Sequence, residues 1–176
     1  MAKGYLVLGE LTDYITGKTI QDTHDERYKQ KLARLLVDDK GYQKNEIKAG
    51  CELRVKAGDK NAILIIDFIV TLSEKICMII KYAPGSLVTR CRSALAVSRL
   101  VAGYQVPVVV VSNGEDAEII DGSTGKVISH NLESIPSRSE ILSIAEHADF
   151  TPISEKQAMM EARIIYAFEI NDSCQI

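Results

Sequence analysis

The strongest pattern along the chain is a pair of apolar runs, Ala62 to Leu72 and Ile76 to Ile80, separated by the polar triplet Ser73-Glu74-Lys75. The first is rich in β-branched residues. Ile63 to Val70 therefore predicts a central strand covered on both faces. The second predicts a strand over 76–82, antiparallel to the first because so short a connection allows nothing else. Upstream, Cys51, Leu53 and Val55 alternate with Glu52 and Arg54, which reads as a strand ending at the turn Gly58-Asp59-Lys60-Asn61. Downstream, Pro107 to Ser112 and Ala117 to Ile120 predict two more strands around the turn Ser112-Asn113-Gly114-Glu115-Asp116. A last turn covers 121–126.

Helical spacing is equally legible. Thr23-His-Asp-Glu26 is a capping-box pattern, and Tyr28, Leu32, Leu35 and Leu36 follow at helical intervals up to Gly41. This predicts a helix over about 25–40. A second helix is expected over about 92–102, with Leu95, Leu100 and Val101 inward. Ser137…Glu140 and Ser154…Gln157 open two more, the last reaching about residue 169. That last helix carries Met159, Met160, Ile164, Ile165 and Phe168 around most of its circumference. It predicts burial on more than one side, under the sheet or at a homodimer interface. The order is helix, three strands, helix, two strands, two helices: an α/β class with a central mixed sheet flanked by helices, one domain over 1–176 with its C-terminal helices from about 137.

Composition narrows the function classes. With 176 residues, 46% hydrophobic and 26% charged, the chain suits one globular core. A net charge of −3 excludes a whole-protein basic field, so any contact with a polyanion must be local. The first residues lack the long apolar region of a signal peptide, and neither apolar run is long enough to cross a membrane. A cytoplasmic location with no membrane partner is expected. Cys51, Cys77, Cys91 and Cys174 form no CxxC pair, and His24, His130 and His147 lie far apart, so zinc is not expected and reduced cysteines are.

One residue breaks the apolar pattern where a charge is costly: Asp67, inside the central run. A buried carboxylate needs a partner, and Arg54 and Lys81 are the strand residues available. The stretches THDERYKQKLARLLVDDKGY, IIDFIV, MIIKYAPGS and PVVVVSNGEDAEIID, spanning roughly 23–121, resemble the N-terminal nuclease domain of type I restriction enzyme R subunits, of the PD-(D/E)xK restriction-endonuclease-like fold. The resemblance implies a restriction-endonuclease-like core and Mg²⁺-dependent hydrolysis of DNA phosphodiesters. Acids on adjacent strands would hold the metal and a lysine would stand beside them.

Carried over residue by residue, Asp67 matches the metal-binding aspartate and Glu26 (or Asp25) the first-helix acid. Aligning on Ala83-Pro84 puts Ile80 at the expected glutamate and Tyr82 at the expected lysine. Lys81, one place off, points to the opposite face unless a bulge between Ile79 and Tyr82 turns it back. Glu52 is the substitute acid on offer. Ser93 falls where the family often has glutamine. The segment after that strand brings Ser86, Thr89, Arg90 and Arg92 together, with Arg99 following, a set suited to phosphate. Catalytic candidates are thus Asp67, Lys81 and Glu26, with Asp67 the metal ligand; phosphate-binding candidates are Arg90, Arg92 and Ser86. Each has a plainer reading: Asp67 as an ion-pair partner, Glu26 as a cap residue, Tyr82 as a strand residue, Asn113-Gly114 as a turn. The alternative to a nuclease with a degenerate site is a non-catalytic module binding nucleic acid or protein on the same fold.

Overall fold

A computed structural model describes residues 6–170 of the chain. It is an α/β structure with two sheets. A hairpin of β1 (Gly9–Thr12) and β2 (Thr19–Asp22) precedes α1 (His24–Arg34), which continues through a π-helical turn, Leu35–Asp39. Then come β3 (Ile47–Ala57), β4 (Lys60–Leu72), β5 (Lys75–Tyr82), α2 (Val88–Val101), β6 (Val108–Ser112), β7 (Ala117–Asp121) and β8 (Val127–His130). The described chain closes with α3 (Arg138–His147), α4 (Glu155–Ile165) and a second π-helical turn, Tyr166–Ile170. The main sheet has the order β3-β4-β5-β6-β7-β8, and β5–β6 is its parallel pair. That pair needs a crossover, which α2 supplies.

The core lies on both faces of this sheet. On one, α1 and α3 cover Phe68, Val70, Met78, Ile80, Val108 and Val110 through Leu32, Leu36 and Ile141. On the other, α2 and α4 cover Ile69, Ile79, Val109 and Val111 through Leu95, Ala96, Val97 and Ile165. β6 is buried at every position, as its unbroken valine run requires.

β4 departs from the expected pattern. It is covered on both faces only from Ile66 onward; Ile63 and Ile65 are 59% and 44% exposed. The cause is a bend in the β3–β4 hairpin. The register is constant, with Ala49 opposite Phe68 and Cys51 opposite Ile66. Yet Ile47 and Ala49 pack on the α1 side, whereas Leu53 and Val55, of the same parity, pack on the α2 side. Likewise Phe68 and Val70 serve one cluster, Leu64 and Ile66 the other. The change falls at Gly50 and Asp67. Gly50 has φ +63°, a conformation that glycine adopts without the Cβ penalty. The outer half of the hairpin thus wraps away from the sheet, and Asp67 sits at the bend.

Other differences are smaller. The β1–β2 hairpin and β8 were not expected from the sequence, because four-residue strands carry too little alternation to register. α2 begins at Val88, about a turn earlier than predicted, with Leu87 as a cap residue lacking a side-chain hydrogen bond. The irregularity of β5 falls at Val70/Thr71 of its partner, while β5 runs in unbroken register with β6 from Met78 to Tyr82, so no bulge turns Lys81. α4 buries one side, Glu161, Ala162 and Ile165, against α2; Met159, Met160 and Phe168 are exposed, which corrects the expected burial on more than one side. Cys51, Cys77 and Cys91 are free thiols, and Cys174 lies outside the described residues. No described helix is long and apolar enough to cross a membrane.

The turn after β6 pins α1 in place. The Asn113 side chain accepts hydrogen bonds from the Glu115 and Asp116 backbone, so the Asn-Gly pair is a working turn. Lys31 Nζ donates to the Gly114 carbonyl at 2.9 Å, and the Tyr28 ring lies directly on Gly114. A Cβ at position 114 would stand 2.4 Å from the ring, and the backbone there has φ +86°. Gly114→Ala should therefore lose about 2–4 kcal/mol through overpacking and left-handed strain together. Urea denaturation checks this, and a loss under about 0.5 kcal/mol would show that α1 is not held by this contact.

Candidate functional site

The site is a fork. β4 and β5 pair as far as Phe68–Ile80. Beyond that pair the strands separate, and side chains replace the ladder. The Tyr82 N–H donates to Asp67 Oδ2 at 2.7 Å, and Lys81 Nζ donates to the Ile65 carbonyl at 2.8 Å. A backbone donor left by the parting strands is thus satisfied by the carboxylate at the bend.

α1 closes the fork from one side. Thr23 caps it, its hydroxyl accepting from the Glu26 N–H. The first two turns then project Asp25, Glu26 and Lys29 toward the fork. Lys29 Nζ lies 3.1 Å from Asp67 Oδ1 and 3.9 Å from Glu26 Oε2. Burial alone would lower the Lys29 ammonium, but the Asp67 carboxylate, helped by Glu26 and Asp25, holds the group above its ordinary value. Tyr82, on the same face, donates its hydroxyl to Asp25 at 3.0 Å and lies parallel to the Tyr28 ring. Burial, then the bond to Asp25, keep the phenol firmly protonated. Glu26 completes the cap pattern in only one direction; its carboxylate instead accepts from Gln30 Nε2, which also donates to Asp13. The N-terminal hairpin is thereby tied to the same helix face.

Lys81 obeys strand alternation and faces the α2 side, opposite Tyr82. There it lies 3.7 Å from Glu169 Oε2, and the buried Ser93 hydroxyl donates to Glu169 Oε1 at 2.7 Å. Three adjoining recesses result. One of about 520 Å³ is lined by Asp25, Lys29, Asp67, Lys81, Tyr82 and Glu169 among others. A second, of about 300 Å³, holds Glu26, Lys29 and Asp67 with the hairpin residues Asp13 and Lys18. The smallest, about 110 Å³, lies between Lys81, Arg90, Ser93 and Glu169. The first and the smallest lie at the C-terminal end of β5, the usual position of ligand crevices in α/β sheets, and the second lies beside them under the N-terminal hairpin.

The sequence candidates are therefore gathered unevenly. Asp67 and Lys81 share one recess, and Glu26 and Asp67 another, with Lys29 standing between the two acids. Arg90 lines the small recess. Ser86 is exposed and lines none of the three. Arg92 turns to Glu161 on α4, 2.7 Å away, beside Arg99, which binds the other oxygen. Glu52 is exposed and lines none of them either. The partner of Asp67 is neither Arg54 nor Lys81 but Lys29, which the sequence pattern did not single out. Its signal was the spacing: three residues after Glu26, on the turn that faces the sheet. Glu169 was also missed, and no local pattern marks it.

A Mg²⁺ site needs several oxygen ligands. Among the described residues no three Asp, Glu, His or Cys side chains gather closely enough to hold a metal ion. Ile80, where the second carboxylate would stand, is fully buried between Phe68 and Val110. Both Asp67 oxygens are already engaged, one by an ammonium. The residues present do not fit a protein-held Mg²⁺.

A mixed sheet with one parallel pair, a helix crossover between its two strands and an acid at the adjoining fork define an α/β domain with its site at the strand ends. The family described as type I restriction enzyme R protein N terminus matches residues 24–136, more than half of the chain. The chain belongs to that family. No curated protein and no solved structure matches it significantly.

The Lys29–Asp67 pair has a measurable consequence. Lys29→Met leaves a carboxylate only 8% exposed without its counter-charge. The expected loss is about 2–4 kcal/mol, reduced from the fully buried case because Lys29 is partly solvated. Adding Asp67→Asn removes the orphaned charge, so the double variant should be more stable than Lys29→Met alone. Strictly additive losses in urea denaturation would dissolve the pair. The folded-state lysine value is raised, so the pair's contribution is complete below the ordinary lysine value and fades as pH climbs past the raised one. The difference between wild type and Lys29→Met should be flat from about pH 6 to about pH 9.

Proposed function

We propose that this chain is a nucleic-acid-binding domain built on a restriction-endonuclease-like core, in which the machinery for phosphodiester hydrolysis has been replaced by an ion-pair network. The observation that carries the reading is Ile80. It stands, fully buried, where the PD-(D/E)xK pattern has its second metal carboxylate. Tyr82 stands at the lysine of that pattern and is committed to Asp25 and to the Asp67 hydrogen bond. Lys29 fills the space between Asp67 and Glu26. Each replacement is accommodated by packing or a hydrogen bond, as in a settled structure rather than a damaged one.

Binding to nucleic acid is supported by the cations on the α2 side of the fork. Lys81 and Arg90 line one recess there, and Lys81 also lines the larger one. Backbone phosphates are the ligands such groups match, and they position a duplex without reading its sequence. With a net charge of −3 the attraction is local, so it depends strongly on salt.

Fluorescence anisotropy with labelled duplex DNA tests the binding arm. Two or three phosphate contacts predict affinity falling about 10- to 40-fold between 50 and 200 mM salt. Absence of binding to DNA and to RNA at low salt would end the nucleic-acid reading. The second arm is incubation of plasmid DNA with Mg²⁺ or Mn²⁺. Wild type and Asp67→Ala should both leave it intact; metal-dependent cleavage lost in Asp67→Ala would overturn the non-catalytic reading.

A further inference from the structure

We infer that Glu169 is an internal stand-in for a nucleic-acid phosphate, seated in an anion recess formed by Lys81, Ser93 and Arg90. The inference rests on the nucleic-acid reading above and adds the regulation of that site. Ser93 is 1% exposed, yet its hydroxyl reaches out of the core to a carboxylate 76 positions further along the chain. Lys81 is nearly as enclosed, its side chain 11% exposed. It spends one donor on the Ile65 carbonyl and keeps the others for the recess. Arg90, on the first turn of α2, lines the same space. A buried hydroxyl donor and an ammonium, facing about 110 Å³ whose wall also includes Arg90, make a complementary environment for one oxyanion. Glu169 meets it with one oxygen toward Ser93 and the other toward Lys81.

The way Glu169 is delivered suits displacement. α4 is anchored two turns earlier by Glu161, which is 3% exposed and paired with both Arg92 and Arg99 of α2. Glu169 itself lies beyond α4, in the π-helical turn Tyr166–Ile170. Its contact to Lys81, at 3.7 Å, is an ion pair without a close hydrogen bond. An incoming phosphate therefore displaces the Tyr166–Ile170 turn, while the Glu161 anchor keeps α4 on α2. Glu169 also lines the larger recess beside Asp67, Lys29 and Tyr82, so its carboxylate repels a phosphate backbone along the whole mouth of the fork.

The test is anisotropy of labelled duplex DNA with the full chain, its Glu169→Gln variant, and Glu169→Gln combined with Lys81→Ala. Glu169→Gln should bind about five- to tenfold tighter than wild type, and adding Lys81→Ala should abolish the gain. Equal affinity of wild type and Glu169→Gln would overturn the guard while leaving the nucleic-acid reading standing. No binding by either would overturn that reading and the guard with it. Hydrogen exchange on the wild-type protein serves if Glu169→Gln fails to fold. Amides of the Tyr166–Ile170 turn should exchange faster when DNA is bound; unchanged or slower exchange would overturn the inference.

Discussion

The structure around the site depends on one carboxylate placed where two strands part. Asp67 sits at the bend of the β3–β4 hairpin, opposite the glycine that makes the bend. Because β4 swings away there, β5 loses its ladder partner and the Tyr82 N–H faces a gap. The Asp67 carboxylate fills it at 2.7 Å. That leaves a charge 8% exposed, and such a charge is tolerated only with a counter-charge. Lys29 supplies it and so sets the position of α1 over the fork. From α1 the constraint spreads in two directions. Gln30 ties the helix to the N-terminal hairpin through Asp13, and Tyr28 with Lys31 ties it to the turn after β6.

Much of this was legible in the sequence, and the exceptions share a cause. The apolar runs marked β4, β5 and β6 because buried strands impose composition as well as period. The first helix was marked by both its cap and its spacing. Asp67 stood out because a charge in an apolar strand is costly wherever it occurs. Its partner did not stand out. Arg54 pairs with Ile63, four positions along β4 from Asp67, and Lys81 alternates to the opposite face, whereas Lys29 arrives from a helix 38 positions earlier. Glu169 arrives from still further off. Periodicity reports which face a residue occupies; it carries no information about which distant element will face it. The bend was hidden for a related reason. Parity along β3 and β4 is perfectly regular, and only the clusters the side chains enter reveal that the hairpin has turned.

On the proposed reading, the fork trades metal binding for packing and ion pairs. A buried isoleucine between Phe68 and Val110 stabilises the sheet where a carboxylate would need a cation. β5 carries no acid, and the acids at the fork repel one another unless cations stand between them. Lys29 does this for Asp67 and Glu26, and Lys81 does it for Glu169. Tyr82, kept neutral by burial and by its bond to Asp25, adds no charge of its own.

The two lysines are not equivalent, and the difference separates structure from binding. Lys29 is held between two acids on one face of the sheet, so drawing it toward a phosphate would leave Asp67 unpaired. Lys81 is held on the other face by a backbone carbonyl, which fixes its position without neutralising its charge. Its counter-ion, Glu169, sits in the Tyr166–Ile170 turn, two turns past the anchor of its helix. A charge neutralised from a rigid element stabilises the fold. A charge neutralised from a turn beyond the anchor of its helix is the one for which an incoming anion competes best. By that criterion the α2 side of the fork, with Lys81, Ser93 and Arg90, is where a ligand gains most, and the α1 side is the scaffold that holds the fork open.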